Sequence, residues 1–400
     1  MTTEYGTRLV RRTLVAVAAI ALLLSGIAAR PYVHGLSLVV RAANLHGFVR
    51  RVADLDTVPE VERVVLVRTP RASMRARVYA PLQTSRQTVL LVSGLHAAGI
   101  DEPRLVGLAR ELAETRLTVV TPEIPELSRF EITPTLTDQI ERTAVWLATQ
   151  SGLAPTGRIG MMGISFSGGL SVVAAGRPSL RNHVSYVFAF GGHDDLPRVL
   201  RYLCTGIEPA APDGTRPKPD ATVAGRPPHD YGVAIILLGV ADRMVPPEQV
   251  VALRDGVRRF LQASHLDRID KLQAEREFAA LRSVARSLPE PSATLLNYVN
   301  NRDVVGLGSR LLPYIGFYGN DPALSPARSP QPSASVFLLH GLGDNVIPAV
   351  ESEYLADHLR GHAPVRLLLS DLISHAEADQ PAHAGDLFRL ASFWGDLLAQ

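Results

Sequence analysis

Cysteine is almost missing from this chain. Cys204 is the only one in 400 residues, which excludes an intramolecular disulfide and leaves the redox compartment unspecified. No activating motif surrounds it, so a catalytic thiol is not expected. Lysine is nearly missing too: of 41 basic residues only Lys218 and Lys271 are not arginine. That imbalance reads as the coding bias of a GC-rich bacterium rather than as a binding surface. Net charge is scarce as well. At +2 it gives no electrostatic case for nucleic acid as a partner. No internal repeat is present. What remains is 46% apolar and 20% charged, an ordinary globular composition with an extra apolar segment. The length suits one large α/β domain carrying an insertion.

The extra apolar segment is N-terminal. Arg8, Arg11 and Arg12 precede a run without charge, Thr13–Ala29, rich in Ala, Leu, Val and Ile. Its length sits at the short edge of a membrane span, about 17–25 residues. It is long for the apolar part of a signal peptide, about 7–15. Residues 1–30 are therefore expected to be a single-pass membrane anchor or a signal segment. The short tail before the run favours a cytoplasmic N-terminus, with the body of the protein outside the cytoplasm; secretion after cleavage near Gly26-Ile27-Ala28 is the alternative. Residues 31–58 are expected to be a juxtamembrane amphipathic segment, in which residues 35–52, with apolar residues beside Arg41, Arg50 and Arg51, form a helix lying on the membrane surface.

From about residue 60 the pattern alternates. Strands are expected at Val61–Thr69, Arg75–Ala80, Thr88–Gly94, Leu117–Thr121, Arg158–Gly163 and His183–Gly191. Helices are expected at Glu102–Thr115, Leu136–Thr149 and Ser167–Ala175. The alternation breaks over 194–333, where a Pro/Gly-rich linker, Pro209–Pro228, precedes a mostly helical stretch with Val250–Leu261 and Lys271–Leu288 clearest. It returns with Ser335–Leu342, Glu351–Leu359, Val365–Asp371 and His383–Leu398. The organisation expected is a core in two parts, 59–193 and 334–400, interrupted by a cap at 194–333. Alternating strands and helices imply a mostly parallel sheet with helices on both faces.

Residues 159–169 read Ile-Gly-Met-Met-Gly-Ile-Ser-Phe-Ser-Gly-Gly. An apolar strand ends in Ser165 between small residues, and a small-residue run follows. This resembles the nucleophile elbow of the α/β-hydrolase superfamily, in which a sharp strand-to-helix turn exposes a serine hydroxyl. The resemblance covers about residues 60–193 and 334–400. It departs from Gly-x-Ser-x-Gly at one position, where Ser167 stands for the last glycine.

A serine hydroxyl needs a base, and the base needs a carboxylate to hold its tautomer. The resemblance implies the chain order Ser, acid, His. Asp344 follows the apolar Val-Phe-Leu-Leu-His-Gly-Leu-Gly and falls at a strand tip, where ligand sites of parallel sheets lie. His375, just past the next strand, is the base, with His383 as runner-up. Asp242, in Ile-Ile-Leu-Leu-Gly-Val-Ala-Asp, resembles the acid motif but lacks the strand and histidine that should follow it. Asp194 and Asp195 are a third place for the acid, weighed against a plain helix cap before Leu196. The implied oxyanion donors are the backbone N–H groups of Phe166 and of Leu95, with His96 N–H next. His96 and Asp195 are candidates for the substrate pocket. The family often shows His-Gly where this chain has Ser93-Gly94, which matters little for a backbone donor.

The expectation is a serine hydrolase cleaving a carboxylic ester or related acyl bond, lipid-like or aromatic, through an acyl-enzyme. The chemistry calls for no cofactor and no metal. The rival is a catalytically inactive protein of the same fold that binds a ligand or partner at the membrane.

Overall fold

The computed structural model describes residues 26, 29–43, 45–69, 73–85, 87–214, 227–373 and 384–400. The chain divides into two compact units, Met1–Thr57 with Ala382–Gln400, and Val58–Pro381.

In the larger unit an eight-stranded sheet is built from β1 (Glu60–Arg68), β2 (Ser73–Pro81), β3 (Thr88–Val92), β4 (Thr118–Pro122), β5 (Ile159–Ile164), β6 (Val184–Phe190), β7 (Ser335–Gly341) and β8 (Val365–Ser370). Their spatial order is β1-β2-β4-β3-β5-β6-β7-β8. β1 and β2 form an antiparallel pair, β2 runs antiparallel to β4, and every other pairing is parallel. The central strands are continuous apolar runs because both their faces are covered: Val89, Leu90, Leu91 and Val92 have no exposure.

Helices α3 (Pro103–Glu114), α5 (Thr135–Ala148), α6 (Phe166–Ala175) and α14 (Val350–Leu359) connect the parallel strands, and α4 (Pro125–Ser128) is a single turn after β4. The step from β3 to β4 moves one way across the sheet, and the step from β4 to β5 moves back over β3. Right-handed crossovers therefore put α3 on one face and α5 on the other. The reversal opens a crevice at the carboxyl ends of β3 and β5, where ligands of such sheets bind. This is the α/β-hydrolase fold with a helical insertion, as the sequence led us to expect.

The insertion contains α7 (Leu196–Thr205), α8 (Asp230–Met244), α9 (Pro247–Leu266), α10 (Lys271–Ser287), α11 (Ser292–Asn300), α12 (Val304–Leu311) and α13 (Ile315–Gly319). Its Ile236, Leu237 and Leu253 belong to the same buried cluster as Val92 and Val187 of the sheet. Glu351, fully buried in the first turn of α14, ties the start of the insertion to the second part of the core. It accepts the N–H groups of Asp194 and Asp195 at 3.0 and 3.1 Å and the Arg198 guanidinium at 2.6 and 3.0 Å.

The smaller unit holds α1 (29–42), α2 (Phe48–Asp54) and α15 (Ala384–Leu398). Gly35 and Gly395 allow α1 and α15 to cross closely: a Cβ on Gly35 would lie 2.6 Å from the Ala391 carbonyl oxygen. Tyr32 donates to the Asp396 carboxylate at 2.6 Å, and Ser37 to the Ala53 carbonyl at 2.8 Å. The segment expected to lie along a membrane is thus two helices, not one. Leu38, Val39 and Val40 of α1 are buried in protein, whereas Phe48, Val52 and Leu55 in and after α2 stay exposed. Among the described residues no helix is long and apolar enough to cross a membrane. Apart from Gly26 and Ala29, the Thr13–Ala29 run lies outside the described residues.

Candidate active site

β5 ends at Ile164, and Ser165 follows it with its backbone at φ 56°, ψ −131° before α6 begins. A residue with a Cβ adopts a positive φ only at a cost of about 1–3 kcal/mol. The turn is closed on both sides. Ser165 N–H donates to the Phe190 carbonyl at 2.6 Å, and its own carbonyl accepts from Gly168 N–H at 2.8 Å. Small neighbours are obligatory. A Cβ on Gly163 would overlap the Ser167 carbonyl, and one on Gly169 would lie 2.6 Å from the His193 ring.

Ser167, the departure from the family pattern, has a job of its own. It is fully buried, and its Oγ donates to the Ser93 carbonyl at 2.6 Å, tying the elbow to the loop after β3. A glycine at this position lacks that bond.

That loop contains the expected second oxyanion donor. A Cβ on Gly94 would lie 3.4 Å from the Ser165 Cβ, so the loop backbone runs beside the serine. The 93–94 peptide is held through its carbonyl by Ser167. The 95–96 peptide is held at both ends: Leu95 carbonyl accepts from the Tyr231 hydroxyl, and His96 N–H donates to the Leu127 carbonyl at 3.2 Å. His96 N–H is therefore spoken for, which leaves Leu95 N–H, in the peptide between. Among the described residues neither Leu95 N–H nor Phe166 N–H donates to a backbone carbonyl. The Phe166 ring is buried and stacks on His193 at 5.1 Å with planes 4° apart. His193 donates Nε2–H to the Leu324 carbonyl at 2.8 Å. Burial lowers its pKa, so the ring is neutral.

Asp344 is buried just past β7. Its Oδ1 accepts the N–H groups of Val346 and Ile347 at 2.8 and 3.0 Å. Its Oδ2 lies 3.4 Å from Nε2 of His340. His340 Nε2 is itself 2.9 Å from the Ile347 carbonyl, which assigns the proton there and leaves Nδ1 to accept from Ser352 at 2.6 Å. A Cβ on Gly191 would come within 3.5 Å of Asp344 Oδ2. Gly191 follows Phe190, the carbonyl partner of Ser165, so the elbow and the acid border the same strand tip. His375 and the runner-up His383 lie outside the described residues.

Elsewhere the structure separates the candidates. Asp242 is on α8 and pairs with Arg254 at 2.8 Å. Asp195 pairs with Arg328 at 2.7 Å. Asp194 is buried, is held by Arg198 at 3.1 Å, and has its pKa raised by burial. Asp195 occupies the N-cap position of α7, as the capping reading expects, but makes no cap bond through its side chain; Ser325 Oγ accepts Leu196 N–H instead, at 2.9 Å. His96 is half-buried with its ring edge-on to His265 at 4.5 Å, and burial pushes its pKa down to about 4. Cys204 is buried and its thiol is pushed up to about 12 by burial, too high for a nucleophile near neutral pH. A cleft of about 270 Å³ borders the same loop at Ser93 and Ala98 and the segment after β4 at Ile124, but Ser165 does not line it.

No family model matches the chain, and no curated protein matches it in sequence. Among solved structures it is similar to a dienelactone hydrolase from Anabaena variabilis, at 14% identity over 84% of this chain and 96% of that one, TM-score 0.41. An arylesterase is similar at 13% identity over 92% and 97%, TM-score 0.46. An esterase from the archaeon Pyrobaculum calidifontis is similar at 14% identity over 92% of each chain, TM-score 0.44.

Proposed function

We propose that this protein is a serine hydrolase acting on a carboxylic ester or a related acyl bond. The observation that carries the reading is the strained backbone of Ser165 at a strand-to-helix turn. It sits beside Leu95 and Phe166 N–H groups that no backbone carbonyl among the described residues occupies. Ser165 Oγ attacks the acyl carbon while His375 takes its proton, and Asp344 holds the imidazole and offsets its charge. The two N–H groups stabilise the oxyanion. Collapse of the tetrahedral species passes the proton from His375 to the leaving alcohol and leaves an acyl-Ser165. Water, deprotonated by His375, then releases the acid and restores the hydroxyl. Helix α8 of the insertion, apolar and buried from Val233 to Leu238, suits a lipid-like or aromatic acyl substrate.

A fluorophosphonate probe tests the reading. Ser165 Oγ displaces fluoride at phosphorus, so the wild-type protein is expected to carry the adduct on the peptide containing Ser165, as mass spectrometry reads it. An unlabelled wild type that turns over no ester leaves the rival, a binding protein of this fold.

We also propose that the protein is held at a membrane, with its catalytic unit outside the cytoplasm. Supporting this are the charge-free Thr13–Ala29 run behind three arginines and the exposed Phe48 and Leu55, at 73% and 85%. The labelled full-length protein is expected in the membrane fraction, released by detergent and retained in high salt. Label recovered in the soluble fraction instead rejects the anchor; outside the cell it indicates a cleaved signal.

A further inference from the structure

We infer that the segment opening helix α8 clamps the two loops that the reaction depends on, and that the Tyr231 hydroxyl is a positioning residue for the oxyanion hole. The inference rests on the serine-hydrolase reading above and goes beyond it, because it gives the insertion a part in the chemistry.

The loop carrying Leu95 follows β3, and the loop carrying Asp344 follows β7. In the sheet these strands are separated by β5 and β6. At roughly 4.8 Å per strand their tips stand about 15 Å apart. One short piece of the insertion reaches both. Asn345, next to Asp344, accepts the N–H of His229 on its carbonyl at 3.0 Å and donates its side-chain amide to the Pro227 carbonyl at 3.2 Å. Two residues after His229, the Tyr231 hydroxyl donates to the Leu95 carbonyl.

The segment between is itself fixed. Asp230 accepts the N–H of Tyr231 at 3.0 Å and pairs with Arg302 at 2.6 Å. The Tyr231 ring packs edge-on against Phe130 at 5.7 Å. Burial pushes the pKa of its phenol up, so the group stays a donor throughout the working range of a hydrolase.

The bond matters through the geometry of one peptide. Leu95 carbonyl and His96 N–H belong to the same rigid plane. Tyr231 holds one edge of that plane and the Leu127 carbonyl the other. With the 93–94 peptide tied to Ser167, the Leu95 N–H between them is left with little freedom to turn away from Ser165. Removing the Tyr231 hydroxyl frees one edge, and the donor is no longer preorganised for charge that develops only in the transition state. Substrate binding, which makes little use of that donor, is left alone.

Tyr231→Phe in the full-length protein tests this, because it keeps the ring against Phe130. With a p-nitrophenyl ester, kcat is expected to fall between about tenfold and a hundredfold while KM stays within about twofold. A trifluoromethyl ketone, which forms a tetrahedral oxyanion on serine, is expected to lose affinity by the same factor as kcat/KM. Tyr354→Phe also loses a hydroxyl-to-carbonyl bond, at 2.7 Å to Ala210 in the insertion, but touches neither loop. It is expected to change neither quantity. Wild-type kcat in Tyr231→Phe overturns the clamp, as does a fall in kcat that the ketone does not share. In either case fluorophosphonate labelling of wild-type Ser165 leaves the hydrolase reading standing, whereas an unlabelled, inactive wild type removes both.

Discussion

Ser165→Ala is expected to lower kcat/KM by roughly 10⁵- to 10⁶-fold on any ester the wild type hydrolyses, and to abolish fluorophosphonate labelling. The size follows from role: the nucleophile forms the covalent intermediate, and a base without it has nothing to activate except water. A companion variant separates chemistry from folding. Alanine keeps the Cβ that makes φ 56° costly, whereas glycine adopts that backbone freely. Ser165→Gly is therefore expected to be as inactive as Ser165→Ala yet to unfold at a higher temperature, by a margin corresponding to about 1 kcal/mol. Residual activity near wild type in both variants places the nucleophile elsewhere. Equal melting temperatures would mean that the elbow stores no strain.

How much of this was readable in the sequence depends on whether a feature is local. The elbow was legible because its strand, its serine and its small residues are consecutive. The place of Asp344 just past a strand tip was legible because the apolar run Val336–Leu339 leads toward it. The place of Leu95 in the loop after β3 followed from counting. The bond from Ser167 to Ser93 was not legible, since it joins residues far apart in the chain that only the sheet brings together. Tyr231 left no sequence signal at all: it lies in the insertion, outside any motif, and its partner is a backbone carbonyl. The Asp194–Asp195 pair misled for a related reason. Local chemistry favours an aspartate as helix cap, but Arg198 and Arg328 claim the carboxylates, and Ser325 from the far end of the insertion supplies the cap. The run Ile235–Leu238 shows the ambiguity of short apolar stretches. It has the composition of a buried strand, yet it is helical and buried at every one of these positions. Finally, the amphipathic α15 groups with α1 and α2 because Gly35 and Gly395 permit a close crossing, which no periodicity in either helix announces.

Asp344→Asn and Asp242→Asn together decide where the acid is. Asp344→Asn is expected to lower kcat by about 10⁴-fold with little change in KM. Asparagine keeps an oxygen to accept the Val346 and Ile347 N–H groups, so the loop retains its geometry. Its amide nitrogen then occupies the Oδ2 side, where it offers a proton in place of a negative charge. The histidine loses the acceptor that fixes its tautomer and the charge that balances its protonated form. The same nitrogen faces His340 Nε2 across 3.4 Å, two donors in place of a carboxylate and a donor. A modest loss of stability, about 1 kcal/mol, is expected there. Asp242, by contrast, is about half exposed on α8 and bound to Arg254. An exposed pair of this kind contributes about 0–1 kcal/mol to stability. Asp242→Asn is expected to leave kcat and KM unchanged. Steady-state kinetics on the two variants, with melting temperatures alongside, separate the alternatives. A collapse of kcat in Asp242→Asn with an active Asp344→Asn moves the acid from the tip of β7 into the insertion, and the strand order that placed Asp344 beside Gly191 would then serve the fold and not the chemistry.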